Sequence, residues 1–233
     1  MLVPILLMSL GFIALCLFLF EKIRRYSAKE VIIKSIVSTL FIALAVYCDF
    51  KSEHHTFGTY VIVALVFGLL GDIWLDLKFA FPEQEKTFTY AGFFSFAIGH
   101  LLYIGGMFTC FHGEDWWWRF LIALGIGAFG ALATLLMERP LRMHYGKYKW
   151  IVGLYSFILF SMVGSALMTT IAYGFQVTPF NMIFAGGVLF AVSDLILSGT
   201  YFGIGKTRPI DLITNTVTYY AAQYLIAFSL IFI

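Results

Sequence analysis

Eight stretches of this chain, residues 2–20, 31–48, 57–77, 88–110, 117–136, 150–173, 179–200 and 210–232, are almost wholly apolar. Each has about the length a helix needs to cross some 30 Å of hydrocarbon. The 233 residues are 61% hydrophobic and 12% charged, with a mean hydropathy of +0.91. A soluble domain is nearer half apolar and about a quarter charged. The expected fold is an all-α membrane protein, a bundle of eight transmembrane helices. The turns are short and no Pro/Gly/Ser-rich linker divides them, so residues 1–233 are expected to form a single polytopic domain. Met1 to Phe20 lacks a basic leader and a small-residue cleavage site, and reads as a retained first helix.

Lys and Arg set the orientation. The first, third, fifth and seventh loops hold Lys22, Arg24, Arg25, Lys29, Lys78, Lys86, Arg139, Arg142, Lys147, Lys149, Lys206 and Arg208, and Lys34 lies on the same side. Only Lys51 and Arg119 lie on the other. The odd loops are therefore expected in the cytoplasm and both termini outside. Trp116, Trp117 and Trp118 open the fifth helix at the outer interface. The basic residues form no run of the kind nucleic-acid binding needs, so no nucleic-acid partner is expected. Cys16, Cys48 and Cys110 have no CxxC spacing and imply neither a zinc site nor a disulfide framework.

Against this background three aspartates stand out: Asp72 and Asp76 in LVFGLLGDIWLDLKF and Asp194 in GGVLFAVSDLILSG. An ionised carboxylate in hydrocarbon costs at least a few kcal/mol, so such residues gather around a polar interior site. The alternation of helices puts all three in the cytoplasmic half. It brings His100, Asn215, Tyr219, Tyr220 and Gln223 toward the same layer.

The two acidic segments also resemble each other. FGLLGDIWLD (67–76) and LFAVSDLILS (189–198) each place a small residue before Asp, and the next helices carry GHLLYI and AQYLIA. Helices one to four and five to eight would then be parallel repeats about an axis along the membrane normal. Gly71 and Ser193 would allow close helix approach beside each Asp.

Asp72 and Asp194 are the catalytic candidates; otherwise they are carboxylates that only hold helices together. Asp76, one turn beyond Asp72, shares its face or reaches the interface. His100 is a proton-transfer partner or a packing histidine. Lys34 snorkels, binds a lipid phosphate or sets the charge of an aspartate. Asn215, Tyr219, Tyr220 and Gln223 orient substrate or satisfy the carboxyls. There is no GxSxG elbow or HExxH pair, and only His100 among the histidines lies at depth, so serine hydrolase and zinc chemistry find no residues. No metal or cofactor is expected.

The ordered set GLLGDIWLDL, FAIGHLLYI, FAVSDLIL and TYYAAQYLI resembles the signatures of the YhhN-type lysoplasmalogenase family. The resemblance covers the whole chain as eight helices. It departs at Lys34-Ser35, where the family usually has Lys-Pro. It implies hydrolysis of the vinyl-ether bond of a lysophospholipid within the bilayer, giving a fatty aldehyde and glycerophosphoethanolamine or glycerophosphocholine. It also implies that Asp72 and Asp194 carry the reaction. The expected location is the inner or plasma membrane of a bacterium. A small transporter or lipid flippase with a buried acidic site is the alternative reading of the same residues.

Overall fold

The computed structural model describes residues 2–24, 28–110, 116–204 and 208–233. Arg25, His112 and Lys206 lie outside them, and the side chains of Arg24 and Lys29 are likewise outside the description. The described residues form eight long helices: α1 (Leu2–Arg24), α2 (Ala28–Phe50), α3 (His55–Ala80), α4 (Glu85–Phe108), α5 (Trp116–Leu136), α6 (Lys149–Ala172), α7 (Thr178–Phe202) and α8 (Pro209–Ser229). Every predicted span has its helix, most extended by a turn or less. The all-α bundle is as expected.

Seven of the eight are long and apolar enough to cross a membrane, which makes this an integral membrane protein; α8 is the exception. The reason is in its sequence. Between Pro209 and Ser229 it carries Asp211, Asn215, Gln223, three tyrosines and three threonines, and its buried face is built from several of these. Lipid-type surface covers the outside: Phe12, Ile13, Leu121, Phe129 and Leu132 are all exposed. Apolar tails solvate such residues as well as a core would, so close packing has to hold the helices together.

The neighbours are consecutive hairpins, α1 with α2, α3 with α4, α5 with α6 and α7 with α8, joined by α2–α3 and α6–α7. The halves meet through α4 against α6 and α8 against α2. Exchanging helices one to four for five to eight maps these pairings onto themselves, the pattern a repeat produces. Two glycines give the same relation at atomic scale. A Cβ on Gly99 in α4 would meet the Ala64 carbonyl oxygen of α3 at 3.1 Å; one on Gly186 in α7 would meet the Ala222 oxygen of α8 at 3.2 Å. Ala64 pairs with Gly186 and Gly99 with Ala222 at the same offsets that pair Asp72 with Asp194 and His100 with Gln223. Small residues at these crossings let backbones approach closely.

Candidate active site

At a rise of about 1.5 Å per residue, Asp72 and Asp194 each lie about 12 Å inside the basic-end terminus of their helices. Lys34 in α2 and Tyr155 in α6 are both about 9 Å in, and Tyr219 in α8 about 15 Å. The polar residues therefore share one layer. Each aspartate has its own socket there.

The Asp72 socket is charged. Lys34 Nζ lies 3.1 Å from Asp72 Oδ1 and 3.2 Å from Asp76 Oδ2. The lysine side chain is only 12% exposed, so it reaches inward to the carboxylates and does not snorkel. Ser38 and Tyr219 donate to Asp72 Oδ2 at 2.9 and 2.8 Å. Behind Tyr219 the chain of donors continues: Gln223 Nε2 donates to the Tyr219 oxygen at 3.1 Å, and Tyr103 donates to Gln223 Oε1 at 3.2 Å. Tyr220 closes the α2 side, 3.3 Å from Ser38 Oγ and 3.4 Å from the Lys34 carbonyl. Ser35 returns its hydroxyl to Val31 O at 2.7 Å and α2 runs on unbroken.

The Asp194 socket pairs a phenol with an imidazole. Tyr155 of α6 donates to Asp194 Oδ2. The same hydroxyl is 3.1 Å from His100 Nε2 of α4. With the phenol proton committed to the carboxylate, the imidazole is left to donate from Nε2. His100 is 1% exposed and its Nδ1 is buried without a partner. Among the described residues, no lysine or arginine forms an ion pair with Asp194.

Both sockets follow the exchange of halves. Asp72 on α3 is served by α2 and α8, and Asp194 on α7 by α6 and α4. A partition of three rings, Phe96, Phe190 and Tyr219, packs edge to face at 5.3–6.0 Å between them. Phe190 also meets the His100 ring at 4.7 Å. Asp72 is close enough for its charge to act on Asp194. Asp72 is buried, whereas Asp194 is half-buried and lines a narrow slot of about 50 Å³ with Phe93, Phe96, Tyr155, Leu159 and Phe160. Leu195, 49% exposed on the lipid face, completes the slot's wall.

A model of the YhhN family matches residues 30–230. The chain belongs to the YhhN family. No curated protein and no solved structure gives a match. In this YhhN chain the matched region spans α2 to α8, and every residue of both sockets lies inside it.

Of the residues singled out from the sequence, Lys34, Asp72, Asp76, Tyr219, Tyr220 and Gln223 come together in one socket, and Asp194 with His100 in the other. Asn215 belongs to neither. Its amide donates to Ser193 O and Oγ at 2.8 and 2.9 Å, and Ser193 returns a bond to Asn215 O at 3.1 Å. It clamps α7 to α8 one residue from Asp194. Ser38, Tyr103 and Tyr155 were missed. The repeat carries a signal for Tyr155, which lies six residues into α6 as Lys34 lies six into α2.

Proposed function

We propose that this YhhN protein is a lysoplasmalogenase-type hydrolase that cleaves the vinyl-ether bond of lysoplasmalogens, with Asp194 as the general acid and Asp72 as the anionic partner. The observation that carries the reading is the asymmetry of the two sockets: a charge-compensated carboxylate beside one that, among the described residues, has no ion pair and lines a slot at the lipid face.

Vinyl-ether hydrolysis needs those two things. A neutral acid delivers a proton to the β-carbon, and the enol oxygen's electrons produce an oxocarbenium ion. Water adds to the oxygen-bearing α-carbon of that ion and loses a proton, and the hemiacetal then collapses to an aldehyde and the free glycerol hydroxyl. Two carboxyls in different surroundings divide such labour, as a hydrophobic wall favours the protonated acid and cationic or donor partners favour the anion. Asp194 faces the slot and would protonate carbon. Tyr155 and His100 orient it. Asp72, fixed by Lys34, Ser38 and Tyr219, supplies negative charge toward the cation, and the Asp194 carboxylate left by the first step can take the proton from water. The depth suits the substrate, since the bond to be cut lies just beneath a head group while the chain remains in the bilayer. The positive-inside distribution favours the cytoplasmic half of a bacterial membrane for this layer.

The test is purified protein incubated in parallel with alkenyl, acyl and alkyl lysolipids of one chain length, followed by mass spectrometry. Aldehyde from the alkenyl lipid alone is the expected result. Asp194→Asn and Asp72→Asn should each lower the rate about 10²–10⁴-fold, the usual worth of a positioned acid or base. Fatty acid from the acyl lipid, or lipid movement across proteoliposomes without any product, would overturn the reading.

A further inference from the structure

The slot beside Asp194 has a larger neighbour. Leu197 and Tyr201 of α7 line it and also line a cavity of about 510 Å³ at the basic end of the bundle. That volume lies within the range of small-ligand sites, about 300–1,000 Å³. Lys22, Lys78, Glu85, Thr200, Tyr201 and Asn215 supply its polar wall. They come from α1, α3, α4, α7 and α8, so the cavity is assembled only in the complete bundle.

The bonding inside the cavity leaves few groups for a guest. Thr200 gives its hydroxyl to Leu197 O at 2.8 Å, and Asn215 gives its amide to Ser193. Two ammonium groups and one carboxylate remain. Lys78 is 8% exposed, with Nζ 3.2 Å from the centre of the Tyr201 ring; Lys22 Nζ stands 4.9 Å from the Phe18 ring. The two lysines are close enough for each other's charge to act. Glu85 accepts a bond from Tyr148 at 3.1 Å on one oxygen. Among the described residues, none of the three is in an ion pair. The charge of Glu85 also reaches Lys78, and that of Asp76 reaches both lysines, but with no direct ion pair among the described residues, two neighbouring ammonium groups beside one carboxylate form a receptor for a phosphate linked to an amine.

We infer that this cavity is a head-group site for a phosphoethanolamine lipid, with Lys22 and Lys78 holding the phosphodiester and Glu85 selecting the ammonium. This rests on the proposed lysolipid function, and it goes further by naming the groups that choose the head. A protonated primary amine can donate directly to Glu85, whereas a quaternary choline cannot. A lipid seated here would run from the cavity past Tyr201 and Leu197, bringing the glycerol-linked bond toward Asp194 while the chain stays at the lipid face near Leu195.

Native mass spectrometry on the detergent-purified full chain tests the site with acyl-linked lysolipids, which contain no vinyl ether. The wild type should bind lysophosphatidylethanolamine at least about fivefold more tightly than lysophosphatidylcholine, and monoacylglycerol most weakly. Lys22→Gln/Lys78→Gln should weaken both phospholipids about tenfold or more and leave monoacylglycerol unchanged. Glu85→Gln should erase the preference for ethanolamine over choline without weakening choline binding. Melting temperature verifies that each variant is folded, and the single lysine variants replace any double variant that is not. Undiminished phospholipid binding by folded lysine variants, or an unaltered head-group preference in Glu85→Gln, would overturn the proposal. So would equal competition by inorganic phosphate, which would make this a site for free anions; weak competition by soluble glycerophosphoethanolamine alone supports a lipid head. Since binding is read without turnover, a protein that binds as described yet releases no aldehyde would refute the reaction and leave the site standing.

Discussion

Lys34→Met removes the ammonium that pairs directly with Asp72 and Asp76 while keeping most of the side chain's apolar stem. The two ion pairs it breaks are 3.1 and 3.2 Å long, between side chains that are 5–12% exposed. At an effective dielectric of about 20, each is worth about 5 kcal/mol of gross attraction. The desolvation cost of burying the ions offsets much of this in the intact cluster, but removing one partner leaves the rest uncompensated, typically at about 3–5 kcal/mol. For a chain of this size about 1 kcal/mol moves the melting temperature by about 2–4 °C. Lys34→Met should therefore melt about 6–20 °C below wild type in a detergent thermal-shift assay. The triple variant Lys34→Met/Asp72→Asn/Asp76→Asn, which also removes the stranded charges, should recover most of that loss. In turnover, the single variant should lose kcat with little change in KM, because Nζ contacts the carboxylates. A melting temperature within about 2 °C of wild type, or a triple variant no more stable than the single, would refute the charge-compensation argument. A rise in KM alone would instead return Lys34 to the role of a phosphate ligand.

Tyr155→Phe deletes the hydroxyl between Asp194 and His100. A hydrogen bond between uncharged groups is worth about 0.5–1.5 kcal/mol, so kcat should fall about two- to tenfold, and unchanged turnover would remove Tyr155 from the site. Gly186→Ala would bring a Cβ to 2.6 Å from Ile226 Cγ1 and 3.2 Å from the Ala222 oxygen; overpacking of this kind costs about 1–3 kcal/mol, read as a lower melting temperature, and wild-type melting would show that α7 and α8 can part without penalty. Beyond the membrane, the Lys149 ammonium 2.6 Å away and the Tyr145 N–H hold the Glu138 carboxyl below its ordinary value. That contribution is present above the normal glutamate range and is lost as pH falls through the lowered folded value. Glu138→Gln should thus flatten the acid limb of a melting-temperature profile, and an unaltered limb would show that the pair adds nothing.

The legible parts of this molecule were those where the residue type contradicted its surroundings. Asp72, Asp76, Asp194 and Lys34 are conspicuous in apolar runs because charge there demands a partner, and the partners of Lys34 turn out to be two of those aspartates. Hydropathy located all eight helices, including α8, whose polar face takes it below the threshold for spanning alone. Tyr155 was hidden because one tyrosine among 13 in an apolar chain contradicts nothing; what distinguishes it is a neighbour across the bundle. Ser38 is similarly ordinary until α3 places Asp72 against it. Nor does spacing reveal that Phe96 and Phe190 stand between the sockets. Phenylalanines are abundant here, and only helix rotation decides which ones face inward. Asn215 had the right depth, but its amide is taken by the Ser193 carbonyl and hydroxyl of α7 and reaches neither carboxyl.

The polarity of α8 bears on how the protein is made. The least apolar of the eight helices gains its place with the help of partners on other helices: the Asp72 carboxylate that receives Tyr219, the Ser193 backbone that receives Asn215, and the α2 surface against which Tyr220 closes. Since α2, α3 and α7 precede α8 in the chain, the polar layer would serve during synthesis as a receptor that draws α8 into the bundle.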